Sequence, residues 1–120
     1  MDKKIDLTEF DKLERMLRDA DIEYEREDEE DGTPDYKWEF HQLRHPEPYG
    51  EKWLWDVVCN SASYGHEEGL LEIWGKDIAE PEGWLPAEEC FDKIKKIVAT
   101  EVNKRLDDYE RSRKEKTDPE

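Results

Sequence analysis

Apolar residues recur along this chain at two different periods, and the places where the period changes mark its elements. Over residues 6–20, DLTEFDKLERMLRDA, Leu7, Phe10, Leu13 and Leu17 fall at helical spacing with Met16 beside the same stripe. This predicts an amphipathic helix, and Asp6 three residues before Glu9 has the form of a capping box at its start. Ile22 and Tyr24 then alternate with Glu23, Glu25 and Glu27, a half-buried strand running into a loop around Gly32 and Pro34. In YKWEFHQLRH, residues 36–45, Tyr36, Trp38 and Phe40 alternate with Lys37, Glu39 and His41, which predicts a second strand with its aromatic rings on one face.

HPEPYGE carries two prolines and a glycine and reads as a connection. KWLWDVVCN, residues 52–60, is nearly continuous in apolar side chains and suits a central strand, with Trp53, Trp55, Val57 and Cys59 on one face and Leu54 and Val58 on the other. GLLEIWG, residues 69–75, is a fourth short strand between glycines. From Pro86 onward, proline and acidic residues open a long helix whose stripe is Phe91, Ile94, Ile97, Val98, Val102, Leu106 and Tyr109. The expected fold is α+β, in the order α-β-β-β-β-α, with a small antiparallel four-stranded sheet packed by an N-terminal helix and a long C-terminal helix. Residues 1–110 form the single domain and residues 111–120 a charged, flexible tail.

Composition qualifies this picture. Only 34% of the 120 residues are apolar and 45% are charged, a balance close to that of disordered chains, but five tryptophans, five tyrosines and three phenylalanines lie mostly within residues 36–91. That concentration gives one modest core enough bulk. Cys59 and Cys90 both sit in apolar runs and read as buried core thiols. The opening MDKKIDLTEF has no apolar leader segment and no run is long enough to span a bilayer, so a soluble, cytoplasmic protein is expected.

Charge narrows the partners. A formal net charge of -16 opposes direct binding of nucleic acid or an anionic membrane, and favours a basic protein. Over residues 19–35 ten acidic residues face a single base, Arg26. Such a run commonly marks a solvated strand edge. In a strand, however, Glu23, Glu25 and Glu27 would stand roughly 6.6 Å apart on one face. That approximates the roughly 6 to 7 Å between successive phosphates of a nucleic-acid strand, so the row could occupy a basic nucleic-acid channel. Glu23, Glu25, Glu27, Asp28, Glu29, Glu30 and Asp31 are therefore the candidate partner-binding residues. Trp53, Trp55 and Trp74 are candidates for a homodimer interface, because so short a chain has difficulty enclosing so many indoles.

Catalytic candidates are weaker. His66-Glu67-Glu68 sits between glycines but lacks the second histidine of a zinc-protease helix, and it reads as the polar rim of a turn. His41 and His45, four apart in a strand, stand about 13 Å from one another, too far for one metal unless the chain bends at Pro46. No phosphate loop, serine elbow or Cys-His pair is present, and neither metal nor cofactor is expected. A non-enzymatic role follows as the expectation.

KWLWDVVCNSASYGHEEGLLEIWG followed by PEGWLPAEECFDKIKKI resembles a family of small proteins from phages and prophages of Gram-positive bacteria. The resemblance covers residues 53 to about 97, with a weaker match in the first helix and IEYERED. It departs from the family at Pro86, where relatives have a threonine helix cap. The family brings no chemistry to transfer. Its phage setting implies action in a bacterial host cell, as an inhibitor that mimics nucleic acid against a restriction or CRISPR nuclease, or else as a homodimeric accessory protein.

Overall fold

The computed structural model describes residues 5–33, 36–49, 52–61, 63 and 65–117. Helix α1 spans Thr8–Asp19 and helix α2 Ala87–Thr117. Between them lie strands β1 (Glu25–Thr33), β2 (Tyr36–Arg44), β3 (Pro48–Tyr49), β4 (Lys52–Trp53), β5 (Trp55–Val58), β6 (Leu71–Gly75) and β7 (Ile78–Leu85). One antiparallel sheet of five strands runs in the order β1-β2-β5-β6-β7, and β3 pairs with β4 in a separate two-stranded sheet. The α+β class and the two flanking helices agree with the sequence pattern. The sheet has five strands where four were expected, because IAEPEGWL pairs with β6 despite Pro81 and Gly83. It does so at a sheet edge, where a missing N–H is tolerated, and through two register shifts.

Helix α1 begins where Asp6 Oδ1 accepts the Thr8 N–H at 2.9 Å and the Thr8 hydroxyl at 2.6 Å. The expected reciprocal bond from Glu9 is replaced by a longer-range one. Glu9 Oε1 accepts the backbone N–H of Ala87 at 2.8 Å, so the first helix caps the second. Lys12 and Glu88 add an ion pair across the same contact. Pro86 supplies the carbonyl that receives the Cys90 N–H at 3.3 Å, which starts α2 without a hydroxyl cap.

The core lies between the helices and one face of the sheet. Phe10, Leu13 and Leu17 of α1 and Ala87, Cys90, Ile94 and Ile97 of α2 meet Leu43, Trp55, Val57, Leu71 and Ile73. Trp55 is fully enclosed there, so it offers nothing to a second copy, and the expected interface set reduces to Trp53 and Trp74. Cys59 and Leu54 are also buried. Gly75 lets β6 pass against the preceding chain: a Cβ there would stand 2.4 Å from the Leu54 carbonyl oxygen.

Only the first half of α2 is packed. Beyond Glu101, which Lys76 anchors at 3.2 Å, every described side chain through Arg113 is exposed. The helix nevertheless continues to Thr117, so residues 111–117 extend it where a flexible tail was expected.

Candidate functional site: the acidic hairpin

The acidic run is itself strand. β1 carries Glu25, Glu27, Asp28, Glu29, Glu30 and Asp31 and pairs with β2 in unbroken register from Glu25 opposite Arg44 to Thr33 opposite Tyr36. Gly32, expected in a loop, is thereby part of the strand, and Pro34 lies outside the described residues. Glu23 falls before the strand, beside a shallow groove of about 470 Å³ lined also by Arg18, Tyr24 and Pro46, and so stands outside the carboxylate row.

The alternation in β2 puts Trp38 and Phe40 on one face, as expected, and that face turns away from the helices. Glu39, His41 and Leu43 face the helices, whereas Trp38 and Phe40 stack on the opposite, open face with ring centroids 5.8 Å apart. Leu43 decides the matter, since its full burial against Val57 fixes the register of every alternate residue. A buried polar cluster results. His41 Nδ1 lies 2.6 Å from Asp28 Oδ1 and its Nε2 3.1 Å from Glu39 Oε1, with the ring 5.9 Å from that of Phe10. Ionised carboxylates only accept, so each contact is a hydrogen bond when the facing nitrogen carries its proton. Glu39 Oε2 also accepts the Ile5 N–H at 3.0 Å, tying the segment before α1 to the sheet.

Arg26 closes the inner face. Its Nε and Nη2 reach Asp28 at 2.8 and 3.2 Å, and its Nη1 reaches Asp11 at 2.9 Å and Glu14 at 3.0 Å, with the guanidinium over the Phe10 ring. Burial pushes the Asp28 carboxyl upward, but the bonds from Arg26 and His41 outweigh it and leave the group below its ordinary value. The Arg26 guanidinium is correspondingly held in its charged form, chiefly by its bond to Asp28.

The open face divides into two halves. Paired positions across the strands form rows: Glu25, Arg44, Asp56 and Trp74 in one, Glu27, Gln42, Val58 and Glu72 in the next. Arg44 bonds Glu27 at 3.0 Å, Glu25 at 3.2 Å and Gln42 at 2.7 Å, while Trp53 lies over its guanidinium at 4.7 Å. Gln42 in turn donates to Asp56 at 3.0 Å. Desolvation raises the Asp56 pKa despite that bond. In this half Arg44 and Gln42 engage Glu25, Glu27 and Asp56 within the chain.

Toward the hairpin tip the pattern changes. Glu29 stands opposite Phe40, and Asp31 takes the register position opposite Trp38. Arg44 bonds Glu25 and Glu27 but not Glu29, and among the described residues no cation pairs with Glu23, Glu29 or Glu30. Of the seven candidate residues, Glu25, Glu27 and Asp28 are therefore engaged within the chain, while Glu23, Glu29 and Glu30 keep their charge available. Sequence pattern alone missed Arg26, Arg44, His41 and Glu39, although Arg44 opposite Glu25 follows once the hairpin register is known.

Elsewhere the chemistry is structural. Burial pushes the Cys59 thiol up to about 11 and that of Cys90 up to about 12, so neither supplies a thiolate nucleophile near neutral pH. His66–Glu68 form a single 3₁₀ turn with Glu67 and Glu68 exposed, and His45 Nδ1 bonds the backbone of Glu47. Among the described residues no His, Cys, Asp and Glu side chains cluster as metal ligands, and no helix is long and apolar enough to cross a membrane. Compared with family models, curated proteins and solved structures, the chain gives no significant match in any of the three.

Proposed function

We propose that this protein is a non-enzymatic binder of a basic protein, received on the tip of the β1–β2 hairpin. The observation that carries the proposal is the imbalance there: six carboxylates within nine residues of β1 meet two internal arginines, and Glu29, left unpaired, stands opposite Phe40 on the open face. A partner arginine or lysine fits this pairing of acid and ring, its charge to the carboxylate and its stem or guanidinium plane to the aromatic face. Carboxylates at i and i+2 along β1 repeat at about 6.6 Å, a spacing near that of phosphates along a strand, which favours a nucleic-acid-binding surface as the target. With the phage-protein resemblance, this points to an inhibitor of a host defence nuclease in the bacterial cytoplasm.

The test is capture from a bacterial lysate at low and high salt, using the chain and its Glu29→Gln/Glu30→Gln variant. The chain should retain a basic nucleic-acid-binding protein that salt releases, that added DNA or RNA displaces, and that the variant fails to hold. Equal capture by the variant contradicts the proposal.

A second function has its own support. Val102, Leu106 and Tyr109 are 47%, 54% and 63% exposed at helical spacing on the unpacked part of α2, a stripe suited to self-association as a homodimeric accessory protein. Light scattering of the chain against Leu106→Glu separates the two: a monomer at high concentration excludes the dimer.

A further inference from the structure

The two edges of the main sheet are defended differently. β7, at one edge, is broken by two register shifts, contains Pro81, and holds Trp84 at φ 61°, a left-handed conformation that a bulky residue rarely adopts. Each of these prevents another strand from aligning along it. β1, at the other edge, has none of them over Glu25–Asp31, and only Gly32 near its end takes a positive φ, 126°. Its register is continuous over nine residues, and for Glu25–Asp31 no backbone hydrogen bond among the described residues reaches the side of β1 that faces away from β2. At about 3.4 Å per residue this leaves roughly 24 Å of edge with alternate N–H and C=O groups unpaired by protein, above the usual strand length.

Charge alone guards that edge, and charge is selective. A second copy of β1 would bring six carboxylates against six, so self-pairing is disfavoured. A strand with basic side chains at alternate positions meets the opposite sign. On the open face it would lie beside Glu25, Glu27, Glu29 and the position of Asp31, the last two being the half that Arg44 does not neutralise. The inner face is less receptive, since Arg26 already occupies Asp28 there.

We infer that the basic partner binds by strand addition: an extended segment with Lys or Arg at every second residue pairs antiparallel or parallel to β1 and extends the sheet to a sixth strand. This rests on the proposed binding of a basic partner and specifies its mode. Main-chain hydrogen bonds supply affinity, and the alternating cations supply selection and orientation.

The probe is a synthetic nine-residue peptide alternating Arg and Thr, compared with counterparts N-methylated on alternate residues in each of the two possible registers. Charge is the same in all three, while N-methylation removes the donors of one edge. Calorimetry at low salt should show the unmodified peptide binding and at least one methylated register weakened about tenfold or more, as expected for several lost hydrogen bonds. Equal affinity for all three peptides would overturn strand addition while leaving a basic partner in place. No binding by any of them would overturn both.

Discussion

Arg26 is the residue on which the inner side of the acidic strand depends. It bonds Asp28, Asp11 and Glu14 together, and its removal would leave three carboxylates facing one another with one fewer cation. Arg26→Met should therefore lower stability by about 1–2 kcal/mol in urea denaturation at neutral pH. Because the folded Asp28 carboxyl lies below its ordinary value of 3.8, its contribution is present above that pH and is lost as pH falls below it. The difference between the chain and Arg26→Met should narrow correspondingly in acid. Asp56 has the opposite sign. Desolvation raises its folded pKa, so its ionised form costs stability above the ordinary value. Asp56→Asn should raise the melting temperature at pH 7, by roughly a few degrees, and the gain should disappear near pH 3.

At the scale of elements, close backbone contact is the strictest local requirement. Gly75→Ala would set a Cβ 2.4 Å from the Leu54 carbonyl and 2.8 Å from the Trp55 Cα, both backbone atoms that cannot rotate away. A loss of about 2–4 kcal/mol is expected by chemical denaturation. The helices, β2, β5 and β6 were legible in sequence because their apolar periods are long and regular. β7 was not, since Pro81, Gly83 and a run of exposed positions erase any period and only pairing with β6 makes it a strand. β1 was half legible: the alternating glutamates marked a strand but not its extent, because six carboxylates within nine residues repel in isolation, and only Arg26 of β1 and Arg44 of β2 offset part of that repulsion. The aromatic face of β2 was legible as a face, but the side it takes was not. Trp38 and Phe40 shield one another by stacking outside the core, while His41 and Glu39 go inside as a hydrogen-bonded pair.

For the whole molecule, a net charge of -16 on 120 residues sets the response to salt. Self-repulsion among carboxylates is long-ranged, whereas the ion pairs that offset it are short, so screening should relieve more than it weakens. The melting temperature should rise between 20 mM and 500 mM NaCl, and differential scanning calorimetry would show it; a fall would mean that the Arg26 and Arg44 networks dominate. The same charge accelerates encounter with a basic partner, and on the hairpin the unpaired Glu29 stands opposite Phe40 of the stacked Trp38–Phe40 pair, which is the claimed site. The most direct measurement of that claim is an amide chemical-shift titration of the labelled chain with the Arg-Thr peptide at low salt. Shifts concentrated in residues 25–33 and 36–44 are predicted, whereas shifts spread equally over the acidic positions of α1 and α2 would contradict a dedicated site on the hairpin.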